Sequence, residues 1–221
     1  MNLKKIYLVP GLGADKRMYE PQLKVLRNTE VLEHQLPDKN MSLRDYARLL
    51  ATRIDTSQPF NLLGTSLGGI VCIELSQLVQ PDKIILINSV KNRGEMPLWM
   101  RMFKFVPLHR LASGERLRSM SNANLKRLMN TRDTRVMQLI RQMHDDADPR
   151  FIEWAVNAII KWKPPTKIRE DIVHLHGTAD RLFPYRNIYN AIPVKGGSHI
   201  MNMMQPHDVN NILQDILDEI E

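Results

Sequence analysis

A serine between glycines, a later aspartate and a later histidine are the residues of this chain best suited to act together in chemistry. The run GTSLG at 64–68 has the pattern GxSxG, in which the glycines permit a tight turn that exposes the Ser66 hydroxyl. A serine hydroxyl is a poor nucleophile until a base takes its proton, and that base is usually a histidine oriented by a carboxylate. Both residue types follow, with Asp180 at the end of HGTAD and His199 at the end of GGSH. The pattern predicts Ser66 as nucleophile, His199 as general base and Asp180 as the orienting carboxylate.

Other polar residues are weaker candidates. Asp171 and Asp208 could each replace Asp180, but neither stands in a turn directly after a predicted strand. His174 and His176 alternate along a predicted strand with no second pair of ligands, so core or turn histidines are favoured over a zinc site.

Predicted strands and helices alternate along the chain and place these side chains at strand ends. Runs of β-branched and apolar residues predict strands at 4–9, 29–36, 60–63, 83–88, 171–176 and 190–194. Helical spacing predicts helices at 15–27, 42–54, 67–79, 98–111, 122–130, 132–143, 149–162 and 206–220. Ser66, Asp180 and His199 each follow a predicted strand, and the carboxyl ends of parallel strands meet at one edge of a sheet.

The order of these elements predicts an α/β fold, a mostly parallel sheet with helices on both faces. Only helices are predicted between residues 91 and 167, so a helical cap interrupts the sheet. The length suits one domain, residues 1–221, with a core of 1–90 and 168–221 and a cap at about 91–167.

The set of motifs resembles that of small α/β-hydrolases over essentially the whole chain. The matching motifs are a strand followed by PGLG at 10–13, the elbow GTSLGG at 64–69, a helical cap, HGTADRLFP at 176–184 and GGSHIM at 196–201. The resemblance implies the α/β-hydrolase fold, with Ser66 attacking an acyl carbon, His199 moving protons and Asp180 fixing the imidazole. It also implies an oxyanion hole formed by the backbone N–H groups of Leu12 and Leu67.

Two positions depart from the patterns of similar families. Many α/β-hydrolases have His-Gly after the first strand, where this chain has Pro10-Gly11, which affects the shape of the oxyanion loop rather than the reaction. The run HIMNM at 199–203 resembles, more loosely, the tail of plant methylesterases and hydroxynitrile lyases. The lyases typically carry a lysine directly after the catalytic histidine, whereas this chain has Ile200. Ester hydrolysis is therefore favoured over cyanohydrin cleavage.

These features favour a cofactor-free hydrolase of carboxylic esters that works through an acyl-enzyme. Thioester hydrolysis or acyl transfer would use the same residues, and a ligand-binding protein with this fold but little turnover is an alternative from another class. A membrane-associated, lipase-like enzyme is a third alternative. We expect a small-molecule acyl ester as substrate, with no metal, cofactor or nucleic acid. A dinucleotide site is disfavoured because Lys16 stands where the third glycine of its fingerprint belongs.

Composition narrows the class of protein further. A hydrophobic content of 43% and a charged content of 25% are typical of a folded globular chain. Cys72 is the only cysteine, which excludes an internal disulfide, favours a reducing cytoplasm and suggests a buried packing role. The longest apolar runs, such as 70–73 and 84–87, are far shorter than the roughly 18 residues of a membrane-spanning helix. The first residues carry no pattern of a secretion signal.

The net charge of +7 comes from the predicted cap, where 91–167 holds 16 Lys and Arg against 7 Asp and Glu. The default explanation of this charge is that the exposed cap helices need solvated, charged faces. The alternative is attraction of an anionic substrate or membrane surface, with candidate residues Arg101, Lys104 and Arg110. The mixed apolar and basic run at 97–106 favours a cap helix that covers a pocket, rather than a helix that contacts a membrane. Methionines of the cap and tail predict an apolar pocket wall. Trp154 and Trp162 could contribute to that wall, but ordinary packing explains them equally well.

Overall fold

One parallel sheet forms the centre of the molecule. The computed structural model describes residues 4–102, 114–131 and 133–218. Within these residues the strands are β1 (Lys5–Val9), β2 (Thr29–Val31), β3 (Phe60–Thr65), β4 (Lys83–Ile87), β5 (Val173–Gly177) and β6 (Ile192–Val194). They pair in the order β2-β1-β3-β4-β5-β6, and every pairing is parallel. The α/β fold predicted from the sequence is confirmed.

Helices cover both faces of this sheet, as predicted. The described helices are α1 (Glu20–Leu23), α2 (Leu43–Ala51), α3 (Leu67–Leu75), α4 (Leu98–Met102), α5 (Gly114–Met129), α6 (Thr134–Asp146), α7 (Pro149–Lys161), α8 (Met201–Met204) and α9 (Pro206–Asp218). The core residues of α2 and α3 cluster with one face of the strands, and those of α9 cluster with the other. Helices α4 to α7 lie between β4 and β5 in the chain and form the helical insertion.

Alternation along the strands divides the core into two apolar clusters. In β1, Tyr7 and Val9 belong to the cluster that contains α2 and α3, whereas Ile6 and Leu8 belong to the cluster that contains α9. This alternation is the period of two expected for a strand with both faces covered. Every residue of α3 is buried, because the helix packs against both β3 and α2.

Capping residues set the starts of the longer helices. The Ser42 hydroxyl accepts a hydrogen bond of 3.1 Å from the Asp45 backbone N–H at the start of α2. Asp148 caps α7 in the same way, and Pro149 occupies the first turn, where its missing N–H leaves no hydrogen bond unmade. Ser and Asp are among the residue types preferred at the start of a helix, because their side-chain oxygens accept from free backbone N–H groups.

Several predicted boundaries differ from the structure. The strand predicted at 29–36 extends only over Thr29–Val31, at the edge of the sheet, and Leu32 adds one more hydrogen bond to β1. The helix predicted at 15–27 is a 3-10 turn at Lys16–Tyr19 followed by the short α1, because Pro21 has no N–H to continue one helix through both segments. For the helix predicted at 98–111, the structure describes α4 up to Met102, and residues 103–113 lie outside the described part.

No helix among the residues that the structure describes has both the length and the apolar character needed to cross a bilayer. Helix α6 presents one buried and one exposed face, and the short α3 lies wholly in the core.

We predict that Gly177→Ala destabilises the protein by about 2 kcal/mol or more. A Cβ at Gly177 would lie within 3.0 Å of the Gly197 backbone, so β5 and the loop after β6 would have to separate. Urea unfolding followed by circular dichroism measures this effect. Gly94→Ala is the matched control, because there a Cβ meets only the end of the Asn92 side chain. Equal stability of the two variants would contradict the packing argument.

Candidate active site

Ser66 stands in a strained turn between β3 and α3. Its φ of 55° and ψ of −118° are unusual for a residue with a side chain. The turn is held by hydrogen bonds to the end of β4: the Ser66 N–H donates to Ile87 O at 3.0 Å, and the Ser89 hydroxyl donates to Ser66 O at 2.7 Å. At Gly68 an added Cβ would collide with the Val9 carbonyl oxygen, so only glycine lets α3 start this close to β1. The strand-to-helix turn predicted from GxSxG is therefore present.

Ser66, His199 and Asp180 form a continuous chain of hydrogen bonds. The Ser66 hydroxyl lies 3.0 Å from His199 Nε2, and His199 Nδ1 lies 2.8 Å from Asp180 Oδ2. Asp180 and His199 are both only 4% exposed. A carboxylate that accepts the Nδ1–H leaves the Nε2 lone pair facing the hydroxyl. In this arrangement the imidazole is able to take a proton from the serine.

The loop after β5 fixes both oxygens of Asp180. Oδ2 faces His199, while Oδ1 accepts hydrogen bonds from the backbone N–H groups of Leu182, at 2.8 Å, and Phe183, at 2.9 Å. The Ala179 N–H donates to Gly197 O at 2.9 Å, which joins this loop to the loop that carries His199. A carboxylate with both oxygens engaged cannot rotate freely, so the direction of its bond to His199 is set.

Asn88 is a positioning residue that the sequence analysis did not identify. Its fully buried side-chain amide donates to the backbone oxygens of Ser198, at 2.8 Å, and His199, at 2.9 Å. Its side-chain oxygen accepts the Gly177 N–H at 2.8 Å. Asn88 thereby links β4, β5 and the histidine loop. The signal available in the sequence was an asparagine placed directly after the buried strand that neighbours the serine strand.

His174 and His176 are core histidines that reach the site from β5. His176 Nε2 lies 2.8 Å from Phe183 O and 3.5 Å from Asp180 Oδ2, and His176 Nδ1 lies 3.1 Å from His174 Nε2. Burial lowers the pKa of His176, and it lowers the pKa of His174 to about 2. Both imidazoles are therefore neutral at pH 7, and the charge of Asp180 acts mainly on His199.

The loop after β1 is held in place by His34. His34 is not the histidine of the His-Gly pattern found in many α/β-hydrolases, because this chain has Pro10-Gly11 at that place. Its Nε2 nevertheless lies 3.1 Å from Pro10 O and 3.2 Å from Gly11 O. Its Nδ1 lies 3.0 Å from the Tyr46 hydroxyl. Burial lowers the pKa of His34 to about 4, so the neutral ring donates from Nε2 and accepts at Nδ1. The Gly11 N–H donates to Met18 Sδ at 3.3 Å and fixes the other side of the loop.

A large apolar cavity of 1080 Å³ lies above Ser66. Ser66, Asp180 and His199 contribute to its lining, and so do Leu12 and Leu67, the residues expected to supply oxyanion-hole N–H groups. The first N–H groups of a helix have no acceptor within the helix, so the Leu67 N–H at the start of α3 is available to a ligand. This cavity is larger than most pockets for small molecules.

Methionines line the cavity, as the sequence predicted. They come from the first loop, the insertion and the tail: Met18, Met100, Met129, Met143 and Met203. Of the two explanations for Trp154 and Trp162, ordinary packing is the correct one, because both are buried in the core and neither lines the cavity. Their indole N–H groups donate to Met41 O, at 2.8 Å, and to Glu74 Oε1, at 2.7 Å, which turns both rings into the core. Trp99 of α4 lines the cavity instead.

The remaining sequence candidates lie elsewhere. Asp171 forms an ion pair with Arg169 at 2.6 Å, and Asp208 is exposed on α9, so neither replaces Asp180. Cys72 is buried in α3, and burial raises the pKa of its thiol. No group of His, Cys, Asp and Glu side chains in the described residues has the geometry to hold a metal ion. His144 is buried and lines the cavity.

We predict that Asn88→Ala lowers the free energy of unfolding by about 2–4 kcal/mol, because it leaves one N–H and two carbonyl groups in the core without partners. Chemical denaturation measures the loss. Asn40→Ala, at an exposed position, should change stability by less than about 0.5 kcal/mol. A wild-type midpoint for Asn88→Ala would refute the linking role.

We predict that His34 makes the fold less stable as the pH falls. The unfolded chain protonates this imidazole below about pH 6.5, whereas the folded protein resists protonation down to about pH 4, so stability present above pH 6.5 is lost between these values. When the pH falls from 7.5 to 5.0, wild type should therefore lose about 1–2 kcal/mol more of its free energy of unfolding than His34→Gln does. The exposed His207→Gln is the control. Parallel pH profiles for wild type and His34→Gln would argue against a neutral, buried His34.

Comparison with known proteins places this geometry in a family. The sequence matches the profile described as the alpha/beta hydrolase family over residues 6–212. Among solved structures, a thermophilic esterase from Thermogutta terrifontis superposes with a TM-score of 0.77 at 17% identity, over 98% of this chain and 90% of that chain. An enol-lactonase from Burkholderia xenovorans LB400 gives 0.74 at 19% identity, over 99% and 92%. A hydrolase from Pseudomonas aeruginosa PA01 gives 0.74 at 16% identity, over 97% and 90%. No curated protein matches the chain.

The structural matches establish a common fold, since identities this low carry no further conclusion. The profile match runs from β1 into α9, so it includes every strand of the sheet and all three loops that hold Ser66, Asp180 and His199. This chain is therefore a hydrolase of the alpha/beta hydrolase family.

Proposed function

We propose that this hydrolase cleaves carboxylic esters through an acyl-enzyme, with Ser66 as nucleophile, His199 as general base and Asp180 as the residue that orients His199. The observation that carries this proposal is the hydrogen-bonded chain from Asp180 to Ser66, which ends in the lining of the apolar cavity. In this proposal the insertion α4 to α7 acts as a cap that supplies the cavity walls.

The first half of the reaction forms the acyl-enzyme. Ser66 Oγ attacks the acyl carbon while His199 Nε2 takes the hydroxyl proton, and the carbonyl oxygen becomes an oxyanion. The backbone N–H groups of Leu12 and Leu67 donate to that oxyanion. When the tetrahedral intermediate collapses, the bond to the leaving oxygen breaks and His199 gives it the proton. The alcohol leaves and the acyl group stays on Ser66.

The second half repeats these steps with water. His199 takes a proton from a water molecule, whose oxygen attacks the acyl carbon, and the same two N–H groups stabilise the second oxyanion. Collapse breaks the bond to Ser66 Oγ, which recovers its proton from His199. The negative charge of Asp180 stabilises the imidazolium formed in each half, and the neutral His176 does not compete for that charge.

The proposal of ester substrates agrees with the descriptions of two structural neighbours that share the fold. One is described as an esterase and another as an enol-lactonase, and a lactone is a cyclic ester. A thioester would react at the same residues, and a chain that binds ligands without turnover would keep the same cavity. Pure protein assayed against acyl esters and thioesters of graded chain length separates these possibilities. The size of the cavity predicts that medium and long acyl chains are accepted.

We predict that Ser66→Ala abolishes labelling by a fluorophosphonate probe and lowers kcat by about 10⁴-fold or more. Ser57→Ala, at an exposed serine, should keep wild-type labelling and turnover. Activity and labelling are measured on protein whose circular dichroism matches wild type. Near-native hydrolysis by Ser66→Ala would overturn the mechanism, and labelling without turnover of any ester or thioester would favour the binding protein.

A further inference from the structure

Three arginines line the cavity around its apolar walls. Arg127 belongs to α5, Arg181 directly follows Asp180, and Arg186 lies in the 3-10 turn at Tyr185–Asn187. Among the described lining residues, Asp180 is the only other Asp, Glu, Lys or Arg. Because Asp180 is buried and bound by His199 and two backbone N–H groups, its charge is already engaged.

These three arginines are exposed, and they lack the carboxylate partners that some other described arginines of this protein have. Arg150 and Arg169 each pair with a carboxylate at 2.6 Å. In contrast, no ion pair joins Arg127, Arg181 or Arg186 to a carboxylate within the part of the chain that the structure describes. The one polar contact within this group runs from Arg181 Nη1 to the backbone oxygen of Arg127, at 3.4 Å. Three like charges at one cavity, without a counter-charge, favour an anionic ligand.

We propose that Arg127, Arg181 and Arg186 form a subsite for a carboxylate or phosphate group, carried by the substrate at a distance from the bond that Ser66 cleaves. This inference rests on the proposed ester hydrolysis and names its substrate class: an ester with an apolar chain in the cavity and an anionic group at the arginines. Guanidinium groups suit this role, because their planar donors bind carboxylate and phosphate oxygens in pairs.

The position of this subsite differs from the basic surface suggested by the sequence. Arg101 is exposed on α4 and does not line the cavity, and Lys104 and Arg110 lie outside the described residues. Two of the three arginines proposed here follow β5 and therefore stand on the same loop as Asp180. A bound anion would thus be held by the loop that orients His199.

The test compares matched anionic and neutral esters. In the carboxylate pair, the 4-nitrophenyl monoester of adipic acid is compared with the 4-nitrophenyl ester of monomethyl adipate. In the phosphate pair, 4-nitrophenyl 6-phosphooxyhexanoate is compared with 4-nitrophenyl 6-methoxyhexanoate. For each pair, kcat/KM is measured for wild type and for R127Q/R181Q/R186Q. The control R135Q/R141Q/K195Q removes the same charge from exposed residues that do not line the cavity. The single variants R181Q and R186Q replace the triple variant if it does not fold.

We expect wild type to prefer at least one anionic ester over its neutral partner, with a preference that weakens as salt is added. In R127Q/R181Q/R186Q this ratio should fall about tenfold or more, as expected when charge-assisted hydrogen bonds are lost. The ratio compares two esters within one variant, so a general loss of turnover cancels, and in the control this ratio should stay within about twofold of wild type. The pair with the larger ratio identifies the anion as carboxylate or phosphate. An equal ratio in wild type and the triple variant would overturn the subsite.

A binding measurement separates this inference from the proposed function. If wild type hydrolyses none of the four esters, ester hydrolysis fails, and the subsite is then judged by calorimetry with adipate and hexyl phosphate. Binding to wild type that weakens about tenfold in R127Q/R181Q/R186Q, but not in the control, supports the subsite. Absence of binding to wild type, or equal binding to the triple variant, refutes it.

Discussion

Close approach of backbone to backbone at the carboxyl edge of the sheet is the constraint on which the candidate site depends. Gly68 lets the first turn of α3 rest on the Val9 carbonyl, and Gly177 does the same for the loop at Gly197. Side chains at these positions would separate the loops. The 3.0 Å contact between Ser66 and His199 does not tolerate such a shift, because a hydrogen bond is lost beyond about 3.5 Å. Packing at glycines therefore decides whether the chemical groups meet.

Burial adds a second constraint, because polar groups without water need partners inside the protein. Asn88 satisfies two backbone groups of the histidine loop and one at the end of β5, and Asp180 satisfies two backbone N–H groups besides His199. The same burial lowers the pKa of His34 and His176, so these rings remain neutral and act as donors and acceptors rather than as charges. As a result, the negative charge of Asp180 acts mainly on the imidazole of His199.

The cavity combines apolar walls with a local excess of positive charge. Methionines and aliphatic side chains from the first loop, the insertion and the tail form a surface that adapts to different chain shapes. Arg127, Arg181 and Arg186 bring cationic groups to the same space. In the proposed reaction the walls hold the chain of an ester, the arginines hold its anionic group, and both therefore position the acyl carbon at Ser66.

Local sequence patterns determined much of this protein. The strand runs, the caps at Ser42 and Asp148, and the GxSxG turn depend on neighbouring residues, so the sequence by itself predicts them. The sequence also predicts the candidates Ser66, Asp180 and His199, because parallel strands bring their ends to one edge. It does not predict the lengths of β2 and α1, since β2 lies at the edge of the sheet and Pro21 separates α1 from the 3-10 turn before it.

Contacts between distant segments were decided by the tertiary structure alone. Asn88 meets the histidine loop more than a hundred positions away in the chain, and His34 reaches the loop after β1 from beyond β2. Trp154 and Trp162 turn into the core, where Met41 and Glu74 offer acceptors, whereas Trp99 lines the cavity. A sequence shows which chemical groups a chain carries. Which of them share a cavity, as the three arginines do, follows from packing, because distance in the folded protein is independent of separation along the chain.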